Sequence, residues 1–82
     1  MRIGRTAQDG LEINFQFRRS IEDRIAELER DATFDEAQVV KLDDIDHIRR
    51  QLRLVATERA EAQRMRVFLD RATTRPKATT AR

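Results

Sequence analysis

The chain has 82 residues, with 17 Lys and Arg against 15 Asp and Glu for a formal net charge of +2, and its charged and hydrophobic fractions are equal at 39%. Ile, Leu, Val and Phe make up 20 of the 82 residues, above the roughly 20% below which chains stay disordered, so one small folded domain fits and two do not. No run approaches the ~18 apolar residues of a membrane span, no charged-then-apolar leader opens the chain, and the absence of Cys removes disulfides, Cys-based zinc sites and thiol catalysis. These readings point to a cytoplasmic protein without membrane contact.

A chain of this size buries only about 60% of its unfolded surface. Small scaffolds usually need a staple, a metal or a second subunit to become stable. With Cys absent and metal ligands scarce, self-association as a homodimer is the expectation.

The expected fold class is α+β and predominantly α-helical: one domain over residues 1–72, an N-terminal β-hairpin followed by two or three helices, and a disordered basic tail over 73–82. Leu11, Ile13, Phe15 and Phe17 alternate with Glu12, Asn14 and Gln16, the period-2 pattern of a half-buried strand. Asp9-Gly10 before them is a turn signal. A three-residue loop Gln8-Asp9-Gly10 pairs Ala7 with Leu11, Ile3 with Phe15 and Met1 with Phe17, which puts the apolar residues of both arms on one face. The hairpin accordingly spans 1–17.

Ser20 with Asp23 resembles a capping box, and Ile21, Ile25 and Leu28 follow at helical spacing, predicting a helix over 21–31. Thr33 with Glu36 is a second start signal and opens a short helix over 34–42. Asp43 or Asp44 suits the N-terminus of a third helix over 45–72, which contains neither Gly nor Pro. Ile45, Ile48, Leu52, Val55, Ala62, Met65, Leu69 and Ala72 follow its apolar spacing. Arg59 and Arg66 fall where a strict heptad wants apolar residues, so the seam is expected to drift around the helix. Whether 34–72 forms one helix or two stays open. The segment Asp9–Phe15, followed by Ser20 and by Ile25-Ala26-Glu27-Leu28-Glu29, resembles the hairpin-then-helix part of small phage head–tail joining proteins of the gpW type. It covers about 21 residues, lacks the helix that family places before the hairpin, and adds a long charged half.

The small net charge conceals segregation. Residues 22–46 carry ten acids against Arg24, Arg30 and Lys41, a net −7, whereas residues 47–82 carry ten bases against Glu58, Glu61 and Asp70, a net +7. An acidic and a basic helical half favour lying side by side, within one chain or between two, and such patterns select orientation more than they stabilise.

The candidate interface comprises Leu11, Ile13, Phe15 and Phe17 of the hairpin with Ile45, Ile48, Leu52, Val55, Met65, Phe68 and Leu69 of the long helix. On it rests the expected function: a non-catalytic protein-interaction module of accessory, adaptor or inhibitor type, such as bacteria and phages use, binding a copy of itself and an unidentified protein partner. The alternative is a small nucleic-acid-binding protein. Arg49, Arg53, Arg64 and Arg71 fall within about 60° on a helical wheel, and Arg75 and Lys77 of the tail extend that stripe for phosphates. Against it stands a solvated face, or one answered by the chain's own acids. His47, beside Asp43, Asp44 and Asp46, reads as part of a helix-start cluster and not as a metal ligand or catalytic base. No Ser/His/Asp constellation, Gly-rich phosphate loop or metal-ligand spacing occurs, so no catalytic residue, metal or cofactor is expected.

Overall fold

A computed structural model describes residues 11–75. In chain order these form β1 (Glu12–Ile13), α1 (Phe15–Gln38), a 3₁₀ turn (Val39–Lys41), α2 (Ile45–Arg71) and β2 (Thr73–Thr74). The two helices pack against each other as a helical hairpin.

α1 begins earlier than the capping pattern at Ser20 predicts. Asn14 is extended (φ −83°, ψ 166°) and its side chain accepts the Phe17 N–H at 2.7 Å, satisfying one of the donors left open in a first turn. The hydroxyl of Ser20 instead donates to the Gln16 carbonyl one turn back, the behaviour of a mid-helix serine. Asn14→Ala should therefore cost about 1 kcal/mol and lower the thermal midpoint by about 4–8 °C, while Ser20→Ala stays within about 0.5 kcal/mol. Paired circular-dichroism melts check both.

The predicted hairpin is corrected accordingly. Its first arm and turn, residues 1–10, lie outside the described residues. Of its second arm only Glu12–Ile13 is strand, and Phe15 and Phe17 belong to the first turn of α1. Two residues apart on a helix is about 200°, so these two rings diverge instead of sharing a face. The partner of β1 is β2, in parallel, with Glu12 opposite Thr73 and Ile13 opposite Thr74. The N–H of Thr73 donates to the Leu11 carbonyl at 2.8 Å, and the N–H of Arg75 to the Ile13 carbonyl at 2.7 Å. Arg18 reaches across to the Thr74 hydroxyl at 3.0 Å, and Arg75 pairs with Glu12 at 3.4 Å. The start of the expected tail is thus structured, and residues 76–82 lie outside the described part.

α1 continues unbroken through the predicted boundary near residue 31 and through the Thr33–Glu36 signal. The chain leaves it by the 3₁₀ turn, and Leu42 is extended with its N–H on the Val39 carbonyl. Asp44 caps α2 as expected, accepting the His47 N–H at 3.1 Å. Asp46 in the first turn and Arg71 in the last match the helix dipole. Residues 34–72 therefore divide between the end of α1 and α2.

The seam between the helices is a strict heptad. In α1 and just beyond it, Arg18, Ile21, Ile25, Leu28, Ala32, Asp35 and Val39 are buried or half-buried; in and after α2, Ile48, Gln51, Val55, Glu58, Ala62, Met65, Leu69 and Ala72 are. Both sets alternate steps of three and four, the 3.5-residue period of coiled-coil packing. The expected drift is absent because the true line contains Gln51 and Glu58, while Ile45, Leu52, Arg59 and Arg66 form an exposed row beside it. The main apolar cluster joins Ile13, Ile25, Leu28, Ala62 and Leu69, with Ile21, Met65, Phe68 and Ala72 packed against it. It sits at the open end of the hairpin, under the strand pair.

Candidate functional site

A coiled-coil pair buries one stripe of each helix and leaves the rest to solvent. On one side of the open end, the rings of Phe17 and Phe68 meet across the helices edge to face, centroids 6.4 Å apart at 89°, a favoured aromatic geometry. With Ile21 and Met65 they line a shallow apolar groove of about 430 Å³, rimmed by Glu61 and Arg64. A second groove of about 530 Å³, lined by Leu11, Val67 and Phe68 and rimmed by Arg64 and Arg71, adjoins it. Phe17 is 49% exposed, so about half of this ring faces water, while Ile21, Met65 and Phe68 are half-buried.

The structure divides the predicted interface residues into three groups. Leu11, Phe15, Phe17, Ile45 and Leu52 are exposed, and Ile48, Met65 and Phe68 are half-buried. Ile13, Val55 and Leu69 are enclosed within the chain's own fold and present no outer surface. The patch also includes Ile21 and Val67. Ile21 was legible only as part of a helical stripe, because its place on the groove depends on how α1 meets α2. Near the turn, Phe34 is 65% and Val40 86% exposed, and Leu54 is also exposed.

The opposite-sign halves pair within the chain. Glu29 holds Arg66 at 2.6 Å, and Glu36 holds Arg59 at 2.9 Å, one heptad apart along one edge of the seam. The hydrogen bond and positive charge of Arg59 lower the Glu36 pKa from its ordinary value. The partnered carboxylates raise the pKa values of Arg59 and Arg66 in return. Arg18–Glu22, Arg19–Asp23 and Arg24–Glu27 are pairs within α1. All are exposed or nearly so, and such pairs fix register more than they add stability.

One seam position runs against this order. Glu58 faces Asp35 of α1, with Asp31 close by, and its Oε1 is shut off from solvent without a hydrogen-bond partner. Burial first, then the contact with Asp35 and the negative charges of Asp35 and Asp31, raise its pKa, with Arg59 opposing. Nearby, the Gln51 side-chain amide donates to the Asp35 carbonyl at 2.8 Å, so polar groups hold the turn-end half of the seam.

Arg49, Arg53, Arg64 and Arg71 stand exposed on one face of α2, with Arg64 and Arg71 at its edge, where they rim the two grooves, and none of the four makes an ion pair among the described residues. Of the proposed extension, Arg75 is paired with Glu12 and Lys77 lies outside the described residues. His47 is exposed in the first turn of α2, its Nδ1 3.9 Å from an Asp44 oxygen. Among the described residues no group of three or more His, Cys, Asp or Glu side chains is placed to hold a metal ion, and no helix is long and apolar enough to cross a membrane. Comparison with protein-family models, with curated proteins and with solved structures found no match.

Proposed function

We propose that this chain is a non-catalytic protein-interaction module, of accessory, adaptor or inhibitor type, that works as a homodimer, two hairpins meeting through the face that carries Phe17, Ile21, Met65 and Phe68. The observation behind the reading is the single helical layer. Among the described residues α1 and α2 are the only α-helices and lie side by side, whereas stable domains stack two layers around a core. A second copy supplies the missing layer, and two hairpins face to face make a four-helix bundle.

Phe17 is the anchor to test, since it is exposed in the monomer and contributes little to the internal cluster. Phe17→Asp places a charge in the groove and should weaken dimerisation at least about 30-fold, the loss of one hot-spot side chain, with helicity unchanged. Sedimentation equilibrium of both forms reads this directly. A folded wild-type monomer at the highest micromolar concentrations would overturn the reading.

A further inference from the structure

We infer that the outer face of α2 grips the phosphate backbone of duplex nucleic acid, through Arg49, Arg53, Arg64 and Arg71 and without reading sequence. Among the described residues the chain's own acids do not answer this stripe: Glu29 and Glu36 hold Arg66 and Arg59 at the seam edge, and Glu22, Asp23 and Glu27 are engaged by arginines of α1. Four exposed arginine side chains therefore lie on one face of α2 with no carboxylate partner among the described residues.

Their layout favours a polyphosphate over an acidic protein. From Arg49 to Arg71 the helix rises about 33 Å, close to the ~34 Å of one turn of B-DNA. Between Arg53 and Arg64 the same arc carries Ala56, Thr57 and Ala60, which let a broad surface approach closely. Val67 is its one large apolar side chain and Asp46 its one acid. Protein interfaces depend on buried apolar anchors, and this arc supplies almost none. Contacts to phosphates need only positioned donors, and the guanidinium fork matches a phosphate in two hydrogen bonds.

The test is fluorescence anisotropy of the full chain with a labelled mixed-sequence duplex three helical turns long. Four neutralised phosphates give a log–log salt slope of about −3.6, so affinity should fall about 150-fold between 50 and 200 mM salt. Replacing all four arginines by Gln should flatten the slope by about 3.6, and Arg49→Gln with Arg53→Gln alone by about 1.8. The latter pair lies away from the Phe17–Phe68 groove, so its effect is independent of the dimer, which sedimentation measures without DNA. All four side chains are outside the seam, and the variants should melt like the wild type. Binding that ignores salt, a quadruple variant that keeps the wild-type slope, or capture of poly-glutamate in place of DNA would each overturn the inference.

Discussion

Leu69→Ala should destabilise the chain by about 2–5 kcal/mol, the usual result of removing a buried leucine from a core. Leu52→Ala should change stability by no more than about 0.5 kcal/mol, as at an exposed site. Both residues are leucines of α2 and both belong to the apolar spacing visible in the sequence, so the contrast tests the register of the seam. Leu69 lies in the cluster with Ile13, Ile25, Leu28 and Ala62, where its loss leaves a cavity between the helices and beneath β1. Leu52 is 46% exposed, in the row that continues into Arg59 and Arg66. A chain of this length has a total stability of about 4–12 kcal/mol, so Leu69→Ala consumes a large share of it and should lower the urea midpoint accordingly. Urea titrations followed by circular dichroism measure both variants. Equal losses would mean that Leu52 shares the interior and that the heptad line through Gln51 and Glu58 is wrong.

What was legible followed from how local each signal is. α2 could be read almost to its ends, because Asp44 caps it within one turn and no Gly or Pro interrupts residues 45–72. The arginine stripe could also be read, since a face of one helix depends only on spacing within it. α1 looks like two shorter pieces in the sequence because Ser20–Asp23 and Thr33–Glu36 imitate starts. Mid-helix, such residues cost little when the seam residues on either side stay in step, as Ile21, Ile25, Leu28 and Ala32 do. The second arm of the hairpin stops short because the alternation from Leu11 to Phe17 straddles a cap: Asn14, a polar position of the expected strand, is the residue that ends extended structure and begins the helix. The parallel pairing of Glu12–Ile13 with Thr73–Thr74 joins the two ends of the described fold, a contact no local pattern encodes. Glu29–Arg66 and Glu36–Arg59 likewise required the interhelical register, although the charge signs already favour the two halves lying side by side. The Phe17–Phe68 groove lay between these cases, its aromatic members recognisable as anchors and their meeting across two helices not.

Glu58→Gln should raise the thermal midpoint at pH 7 and remove a pH dependence that the wild type shows. Glu58 lies in the seam with one oxygen shielded and unpartnered, facing Asp35 and Asp31 from α1, with Arg59 as the neighbouring cation on its own helix. With Glu58 and Asp35 both ionised, two acceptors confront each other and no hydrogen bond forms between them; one proton converts the contact into a donor–acceptor pair. The raised pKa of Glu58 means that the folded chain holds this proton more tightly than the unfolded one. The resulting stabilisation is complete below the unfolded carboxylate value of about 4.3 and is lost as pH rises through the folded value. Glu36 acts in the opposite sense: its pKa is lowered by Arg59, so its contribution is present above the unfolded value and is lost only as pH falls through the depressed one. The two windows are separate, and melts from pH 7 down to about 4.5 isolate Glu58. Over that range the wild-type midpoint should climb toward that of Glu58→Gln, whose amide carries no charge at any pH and retains a donor for Asp35. Parallel profiles for the two proteins would show that Glu58 is fully solvated and that the turn-end half of the seam carries no like-charge contact.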